Sequence, residues 1–401
     1  MHSTDTPILI WDNKNAISSD TGYYSLVKID ELCVGNDFDS NLLIHGDNLE
    51  AMKVLVSTYE GRIKCAYLDP PYNSSFSYYH YSDALSHSGW LSMMKERIII
   101  IFSLLKDDGF LFAQIDNREL HYLKILLDEI FGRINYRNSL IVKKGIPDTT
   151  GTNCTSLQTG YNTILVYSKT PHTTLPCLFR KTKADEKVGR WKNFERATKS
   201  YQHDYELLGI RPKYGEWRWE QKRAEQALEN YFHILDVFKI SQAVKCEQQK
   251  FDQMIAEYAQ NIDVPAETFD LLRPIKIGYE LYIPPSEIVC LSDDWMDIHV
   301  EGDITDFEHE VSEEILDRLI GWVTQKDDII LDPFLGSGTT LIVASRLNRK
   351  WIGIEKGEHC RGLCHQRLSA FYRESIENSS DNAYGFGFFE LRRLSKGDKN
   401  E

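Results

Sequence analysis

Residues 329–340 read Ile-Ile-Leu-Asp-Pro-Phe-Leu-Gly-Ser-Gly-Thr-Thr, and this stretch decides the fold. Its apolar start predicts a strand, its glycine-rich middle predicts a tight turn, and the residues after it have helical periodicity. Gly336 and Gly338 carry no side chain, so the backbone can turn sharply and approach a ligand closely. About twenty residues later a second apolar run, Trp351–Ile354, ends at Glu355, where a carboxylate can accept a hydrogen bond from a ribose hydroxyl. This order of elements predicts a site for an adenosine-type cofactor.

Two common nucleotide sites do not fit this turn. It lacks the third glycine of the G-x-G-x-x-G dinucleotide fingerprint, and the sequence contains no G-x-x-x-x-G-K-[ST] phosphate-binding loop. A dehydrogenase and an NTPase are therefore disfavoured.

Two regions of the sequence alternate short apolar runs with helical periodicity. Residues 42–131 contain the apolar runs Leu42–Ile44, Ile63–Leu68 and Phe110–Ile115, and residues 312–370 repeat the alternation. This pattern predicts parallel α/β units. A stretch of about 130 residues with mixed aromatic and basic residues and a helical part separates the two regions.

A second motif, Asp69-Pro70-Pro71-Tyr72, directly follows the apolar run Ile63–Leu68. The two prolines fix two φ angles and remove two backbone donors, so the turn is stiff and presents carbonyl oxygens. The motif follows a predicted strand, and the carboxyl ends of strands are where open α/β sheets bind ligands. A carboxylate, a fixed carbonyl and an aromatic ring suit a flat group with an –NH2, because the oxygens accept its N–H bonds while the ring stacks on it. An ordinary turn at a strand exit is the alternative.

Composition limits the class of protein. The chain has 401 residues, with 46 Lys and Arg against 60 Asp and Glu, and a formal net charge of −14. It is too rich in apolar residues for a disordered chain, and no apolar run reaches the ~18 residues of a membrane span. The first residues lack the features of a signal peptide, and eight cysteines in this length indicate reduced thiols. We therefore expect a cytoplasmic protein without a membrane partner, in which any DNA binding depends on local positive charge.

Residues 359–365, His-Cys-Arg-Gly-Leu-Cys-His, raise the alternative of a zinc site. Cys360 and Cys364 are four residues apart on a predicted helix, whereas structural zinc sites usually begin with C-x-x-C on a turn. A second ligand pair is missing from the sequence, so we predict helix packing and no metal.

The Asp-Pro-Pro-Tyr motif, followed later by the glycine-rich motif, resembles the S-adenosylmethionine-dependent DNA amino-methyltransferases. The order of catalytic motif, recognition insert and cofactor motif resembles their circularly permuted beta group. Residues 45–50, 90–115, 161–169 and 215–219 further resemble the modification subunits of type III restriction–modification systems.

The resemblance implies an α/β fold. Residues 42–170 and 305–374 are expected to form one seven-stranded mixed sheet of the Rossmann-like methyltransferase type, circularly permuted, with helices on both faces. Residues 171–304 are expected to be a mainly helical target-recognition insert. Residues 1–41 are expected to be an N-terminal extension, and residues 375–401 a polar, loosely ordered tail.

The resemblance also implies the roles of individual residues. Asp69 and the Pro70 carbonyl are expected to hold the exocyclic amine of a flipped base, while Tyr72 stacks on it and Pro71 stiffens the turn. Hydrogen bonds from the amine favour its nucleophilic form, which attacks the methyl group of S-adenosylmethionine. The expected cofactor contacts come from the glycine-rich motif and two further acids: Asp332, Phe334, Gly336, Gly338, Thr339, Thr340, Glu355 and, after the first strand, Asp47.

The most basic segment of the insert is residues 180–199, with eight Lys and Arg against three Asp and Glu. A charge run is often only a solvated face, but this one opposes the net charge of the chain. We predict that it contacts DNA through Arg190, Lys192, Arg196 and Trp191.

These observations lead to one prediction and two alternatives. We predict site-specific methylation of the N6 amine of adenine in double-stranded DNA, within a restriction–modification system. The same carboxylate could hold the N4 amine of cytosine, and a catalytically silent DNA-recognition subunit is the alternative from another class. A restriction or helicase subunit and a second copy of the chain are further candidate partners.

Overall fold

The computed structural model describes residues 7–15, 22–36, 38–74, 85–145, 157, 159–183, 187–198, 200, 202–240, 248–265, 268–302, 310–378 and 385–394. The chain divides into two compact units. We call residues 1–176 with 292–401 the sheet unit, and Cys177–Leu291 the insert unit.

The helices within these ranges are α1 (Asn48–Tyr59), α2 (His87–Leu104), α3 (Leu120–Phe131), α4 (Gln221–Val237), α5 (Gln248–Asn261), α6 (Glu313–Val323), α7 (Thr339–Arg346) and α8 (Leu363–Asn378). The strands within these ranges are β1 (Tyr24–Lys28), β2 (Asn41–His45), β3 (Ile63–Leu68), β4 (Leu105–Ile115), β5 (Tyr136–Lys143), β6 (Tyr161–Ser168), β7 (Phe179–Lys181), β8 (Arg190–Asn193), β9 (Glu195–Arg196), β10 (Glu216–Trp217), β11 (Leu272–Pro274), β12 (Tyr279–Ile283), β13 (Ile288–Cys290), β14 (Asp294–His299), β15 (Ile329–Asp332), β16 (Lys350–Glu355) and β17 (Gly387–Arg393).

The sheet unit contains a ten-stranded sheet in the order β1-β17-β2-β16-β15-β3-β4-β6-β5-β14. Strands β17, β2, β16, β15, β3 and β4 run parallel to one another. Strand β6 is antiparallel to both of its neighbours, β4 and β5. The sheet is therefore mixed and mostly parallel, and the predicted α/β fold with a mixed sheet is confirmed.

Seven of the ten strands come from the two regions in which a seven-stranded sheet was predicted: β2 to β6, β15 and β16. The other three extend the sheet at its edges. Strand β1 comes from the N-terminal extension, and β17 comes from the tail that we expected to be loosely ordered. Strand β14 was assigned to the insert, but it pairs with β5, so the insert unit is narrower than the predicted 171–304.

Helices cover both faces of the sheet, as alternate residues of β4 show. Leu111 and Ala113 belong to the core cluster that includes side chains of α1, α2 and α3. Phe112, between them, faces the other way and stacks on Trp322 of α6 at 6.3 Å between ring centroids. Successive side chains of a strand point to opposite faces, so both faces of β4 are buried.

The insert unit combines α4 and α5 with seven short strands in three small sheets. The helices supply the larger part of its regular structure, as predicted, but the sequence pattern did not reveal the strands. One of its core clusters forms around Phe194, Trp217 and Tyr279. None of the helices in the described ranges is both long and apolar enough to cross a membrane.

Candidate active site

A cavity of about 620 Å³ opens in the sheet unit. Asp69 follows β3, while Asp332 and Glu355 are the last residues of β15 and β16, and all three line the cavity. These strands are neighbours and parallel, so their carboxyl ends meet at one edge of the sheet, where α/β proteins bind ligands. The two motifs, far apart in sequence, therefore share one site.

The cavity brings together nearly all the predicted catalytic and cofactor residues. Every one of them except Gly338 lines it: Asp47, Asp69, Pro70, Pro71, Tyr72, Asp332, Phe334, Gly336, Thr339, Thr340 and Glu355.

The glycine-rich turn requires glycine at two positions. Gly336 has a φ of 56° and Gly338 a φ of 87°, both in the left-handed region that side chains disfavour. Gly338 is also the N-cap of α7, so the turn ends at this residue and the helix begins at the next one. The backbone N–H of Gly336 donates to Oε2 of Glu355 at 3.0 Å and ties the turn to β16.

The pKa of Asp332 in the cavity lies well above its ordinary value. Burial raises its pKa to about 7, and the charges of Asp69 and Glu355 act in the same direction. Hydrogen bonds from the Thr340 side chain and from the Phe334 N–H, at 3.0 Å, act against this shift. Asp332 therefore titrates close to neutral pH.

Glu355 shifts the opposite way although it is also buried. Burial raises its pKa, but contacts with His359 and hydrogen bonds from the N–H groups of Gly357 and Gly336 outweigh it, so the pKa lies below its ordinary value. The distance from His359 Nε2 to Glu355 Oε1 is 3.3 Å. The acid expected to meet a ribose hydroxyl is therefore ionised at neutral pH.

Asp47 is the N-cap of α1, and its Oδ1 accepts a hydrogen bond from Leu49 N at 3.0 Å. Lys356 Nζ lies 3.6 Å from its Oδ2, and an Arg97 nitrogen lies 3.5 Å from its Oδ1. Asp47 thus has a capping role in addition to lining the cavity.

In the Asp-Pro-Pro-Tyr turn, Tyr72 Oη donates a hydrogen bond to Asp69 Oδ1 at 2.7 Å. Burial raises the pKa of Tyr72 well above its ordinary value, and the charge of Asp69 adds to the shift, so the phenol stays protonated. The Pro71 carbonyl accepts a hydrogen bond from Trp90 Nε1 at 2.7 Å, which anchors the turn to α2. The carboxylate and the ring are therefore held together before any ligand binds.

A family model described as DNA methylase matches residues 63–363, which is more than half of the chain. The chain belongs to the DNA methylase family. The matched residues include both motifs and the insert between them.

The chain is similar to subunits of type III restriction–modification enzymes. It is 30% identical over 379 residues to the "Probable type III restriction-modification enzyme HindVI Mod subunit" of Haemophilus influenzae, covering 82% of this chain and 50% of that protein. It is 25% identical to the EcoP15I Mod subunit of Escherichia coli, covering 79% of this chain and 57% of that subunit. The chain thus spans about half the length of these curated relatives. Among solved structures, the M1.HpyAVI–SAM complex is similar with 15% identity and a TM-score of 0.40, covering 82% of this chain and 100% of that chain.

The predicted DNA-contacting residues of the methylase differ in their surroundings. Arg190 and Lys192 are exposed on β8, on the opposite side from Trp191. The Trp191 ring packs among Tyr231, Phe251 and Tyr282 at 5.3 to 5.8 Å between centroids.

Arg196 is engaged within the insert unit. Its Nε donates to Oε1 of Glu216 at 2.9 Å, and that carboxylate is 1% exposed. Ser200 Oγ donates to the same oxygen at 2.7 Å. Trp191 and Arg196 therefore have internal packing and pairing roles, which leaves Arg190 and Lys192 as the exposed members of the predicted set.

The two cysteines weighed as zinc ligands are packed against backbone. Cys364 Sγ lies 3.0 Å from the Gly336 carbonyl oxygen, and Cys360 Sγ lies 3.8 Å from that of Ile44. Within the described ranges, His, Cys, Asp and Glu form no group of three or more suited to hold a metal ion.

Sequence reasoning missed two amide side chains beside Asp69. Gln114 lies near the carboxyl end of β4, and Asn162 lies on the antiparallel β6; both are 2% exposed and line the cavity. A polar residue near the end of an otherwise apolar strand was the available signal for Gln114. Asn162 could not be found this way, because the order of β4 and β6 in the sheet brings it to the site.

Proposed function

We propose that the chain is a site-specific DNA methyltransferase that transfers a methyl group from S-adenosylmethionine to the N6 amine of adenine. The observation that carries the proposal is that one cavity contains both the Asp69–Tyr72 turn and the glycine-rich turn with Glu355. Membership of the DNA methylase family supports the reaction class.

The residues present fit such a cofactor. Gly336 has a left-handed backbone and carries no side chain, and Glu355 on the next strand offers a carboxylate for ribose hydroxyls. Asp332, Phe334, Thr339 and Thr340 complete the expected contacts, with Asp47 beyond them. When bound, S-adenosylmethionine supplies an electrophilic methyl group.

The residues of the Asp-Pro-Pro-Tyr turn orient the target amine. The amine donates hydrogen bonds to the Asp69 carboxylate and the Pro70 carbonyl, which directs its nitrogen lone pair toward the methyl group. The Tyr72 ring stacks on the base, and Asp69 is a base for the proton that the amine releases. Much of the rate enhancement then comes from orientation and fixed charge.

The names of the two Mod subunits support a role in a type III restriction–modification system. The substrate that we propose is double-stranded DNA, and a restriction or helicase subunit is a candidate partner. A homodimer is a further candidate assembly. Because the proposed substrate is DNA, we propose that the enzyme acts in the cytoplasm.

The choice between adenine and cytosine is tested by incubating the purified chain with labelled S-adenosylmethionine and duplex DNA, then identifying the modified nucleoside by mass spectrometry. We expect N6-methyladenine. N4-methylcytosine would favour the alternative base, and the absence of any methylated nucleoside would favour the catalytically silent recognition subunit.

A further inference from the structure

The side chain that links the catalytic turn to the neighbouring strand is Gln114. Its Nε2 donates to Tyr72 Oη at 2.8 Å and to Asp69 Oδ1 at 3.2 Å. Leu68 pairs with Ala113 in the sheet, so Gln114 lies on β4 at the level of Asp69. One amide group therefore contacts both side chains that are expected to meet the target base.

The orientation of this amide is determined by a third side chain. Tyr67 Oη donates to Gln114 Oε1 at 3.1 Å, and Tyr67 is 1% exposed. Burial raises the pKa of Tyr67 well above its ordinary value, with the charges of Asp69 and Asp332 adding to the shift, so its hydroxyl stays a donor. A donor on that side holds the amide oxygen there and turns the NH2 group toward Asp69.

The hydrogen bonds that join Tyr67, Gln114, Asn162 and Tyr72 run toward Asp69. Tyr72 Oη accepts hydrogen bonds from Gln114 and, at 3.2 Å, from Asn162 Nδ2. The same hydroxyl donates a hydrogen bond to Asp69 Oδ1. Two donors, Tyr72 and Gln114, thus converge on one carboxylate oxygen. Buried networks in which every direction is determined hold their members rigidly.

We propose that Gln114 is a positioning residue for methyl transfer, which fixes the carboxylate plane of Asp69 and the ring of Tyr72 in the geometry that receives the target amine. Tyr67 acts through Gln114, because its hydrogen bond to Oε1 keeps the Nε2 group of that amide directed toward Asp69. This proposal rests on the proposed function and adds a residue that lies outside both sequence motifs.

The test measures single-turnover methyl transfer to DNA by the full chain, with cofactor affinity by calorimetry and thermal unfolding as parallel readouts. Gln114→Leu keeps the approximate volume but removes the donor, and we expect the rate constant to fall roughly 10- to 100-fold with cofactor affinity unchanged. Tyr67→Phe should lower the rate roughly fivefold. The matched control is Tyr167→Phe, which removes another buried hydroxyl, bonded to Asp128 at 2.6 Å outside the cavity, and should leave the rate unchanged.

Gln114→Glu gives a readout that a structural role would not produce. Below the pKa of the new glutamate its protonated form can donate to Asp69, and above it two carboxylates face each other. Its transfer rate should therefore decline as pH rises, relative to that of Gln114→Leu at each pH. Among the described residues, the titratable groups in contact with this position are Asp69, Tyr67 and Tyr72. Asp332 acts on Tyr67, Lys144 lies 5.9 Å from the centre of the Tyr72 ring, and Arg118 lines the same cavity.

The possible outcomes separate the two proposals. Normal transfer by Gln114→Leu, in a preparation where the parent chain transfers methyl groups, overturns the positioning role alone. Equal losses in cofactor affinity and thermal stability for this variant would overturn it in favour of a structural role. Absence of transfer by the parent chain overturns the proposed function and the positioning role with it.

Discussion

Asp332 is the residue whose ionisation should affect cofactor binding near neutral pH. Its pKa is raised to about 7, chiefly by burial, so the ionised fraction of Asp332 increases as the pH rises through the neutral range. A cationic ligand binds more tightly to the ionised form. Affinity for S-adenosylmethionine should therefore rise between pH 6 and pH 8, and calorimetry at both values measures the change.

The control for this titration is Asp332→Asn, because the amide side chain does not ionise between pH 6 and pH 8. We expect its affinity to be lower at pH 8 and nearly constant across the interval. An equally steep pH dependence in that variant would assign the titration to another group.

Gly336 provides a second prediction at this scale. A valine at a φ of 56° is strained, and the strained turn would lie in the lining of the cavity. Gly336→Val should therefore abolish S-adenosylmethionine binding measured by calorimetry. Gly61, also in the left-handed region at a φ of 64° but with no heavy atom within 4 Å of an added Cβ, supplies the matched control Gly61→Val. If Gly336→Val kept the affinity of the parent for S-adenosylmethionine, the glycine-rich turn would have only a structural role.

The cavity-lining residues that the sequence singled out belong to continuous motifs. Asp69 and Tyr72 could be predicted because they directly follow an apolar strand. Glu355 could be predicted because it ends a second strand about twenty residues after the glycine-rich turn. Gln114 and Asn162 reach the same cavity only through the pairing of β4 with β3 and β6, and no local pattern encodes that strand order.

At the scale of elements, the same distinction separates the predicted strands from the missed ones. Five of the seven predicted strands, β2 to β4, β15 and β16, follow from alternation with helices, and β5 and β6 follow from two apolar runs joined by a polar linker; both are local signals. Strands β1, β17 and β14 lie outside the two regions whose sequence alternates apolar runs with helical periodicity, and their places depend on the edges that the other seven strands leave open.

The Arg196–Glu216 pair should stabilise the insert unit in a pH-dependent way. Burial raises the pKa of Glu216, but hydrogen bonds from Ser200, Arg196 and His203 outweigh it and lower the pKa from 4.5 to about 2. A depressed acid contributes stability that is present above about pH 4.5 and lost as pH falls toward about 2. Glu216→Gln should lower the unfolding temperature at pH 7, with a smaller difference from the parent at pH 3. Glu229→Gln, on the exposed side of α4, is the control that should match the parent at both pH values.

Strand β8 should contribute to DNA binding through its two exposed basic residues. Each lost phosphate contact lowers the slope of log K against log salt by about 0.9. The double variant Arg190→Ala/Lys192→Ala should therefore bind DNA more weakly, with a slope shallower by up to ~1.8. Arg196 is left intact, because its loss would disturb the pair with Glu216.

Filter binding over a series of salt concentrations measures this slope. Lys326→Ala/Arg373→Ala removes two exposed basic residues from the sheet unit and serves as the control. If the β8 variant keeps both the affinity and the slope of the parent, that face is only solvated, and DNA contacts must be sought elsewhere, for example around Arg211–Arg223.

For the molecule as a whole, the net charge of −14 implies weak long-range attraction to DNA, so recognition must rely on local patches. The proposed chemistry also depends on the strand order of the sheet. Residues 69–72 and 332–355 are separated by the insert in sequence, and the parallel neighbours β3, β15 and β16 bring them to one cavity. The central claim is that this cavity performs methyl transfer with Asp69 at the target amine.

Methyl incorporation into duplex DNA by Asp69→Ala tests that claim most directly. We expect no transfer by this variant, while its affinity for S-adenosylmethionine stays within a few-fold of the parent, because the carboxylate acts on the base amine and not on the cofactor. Asp108→Ala, which alters an exposed aspartate paired with Lys64 outside the cavity, should transfer at the parent rate. Near-normal turnover by Asp69→Ala would contradict the account.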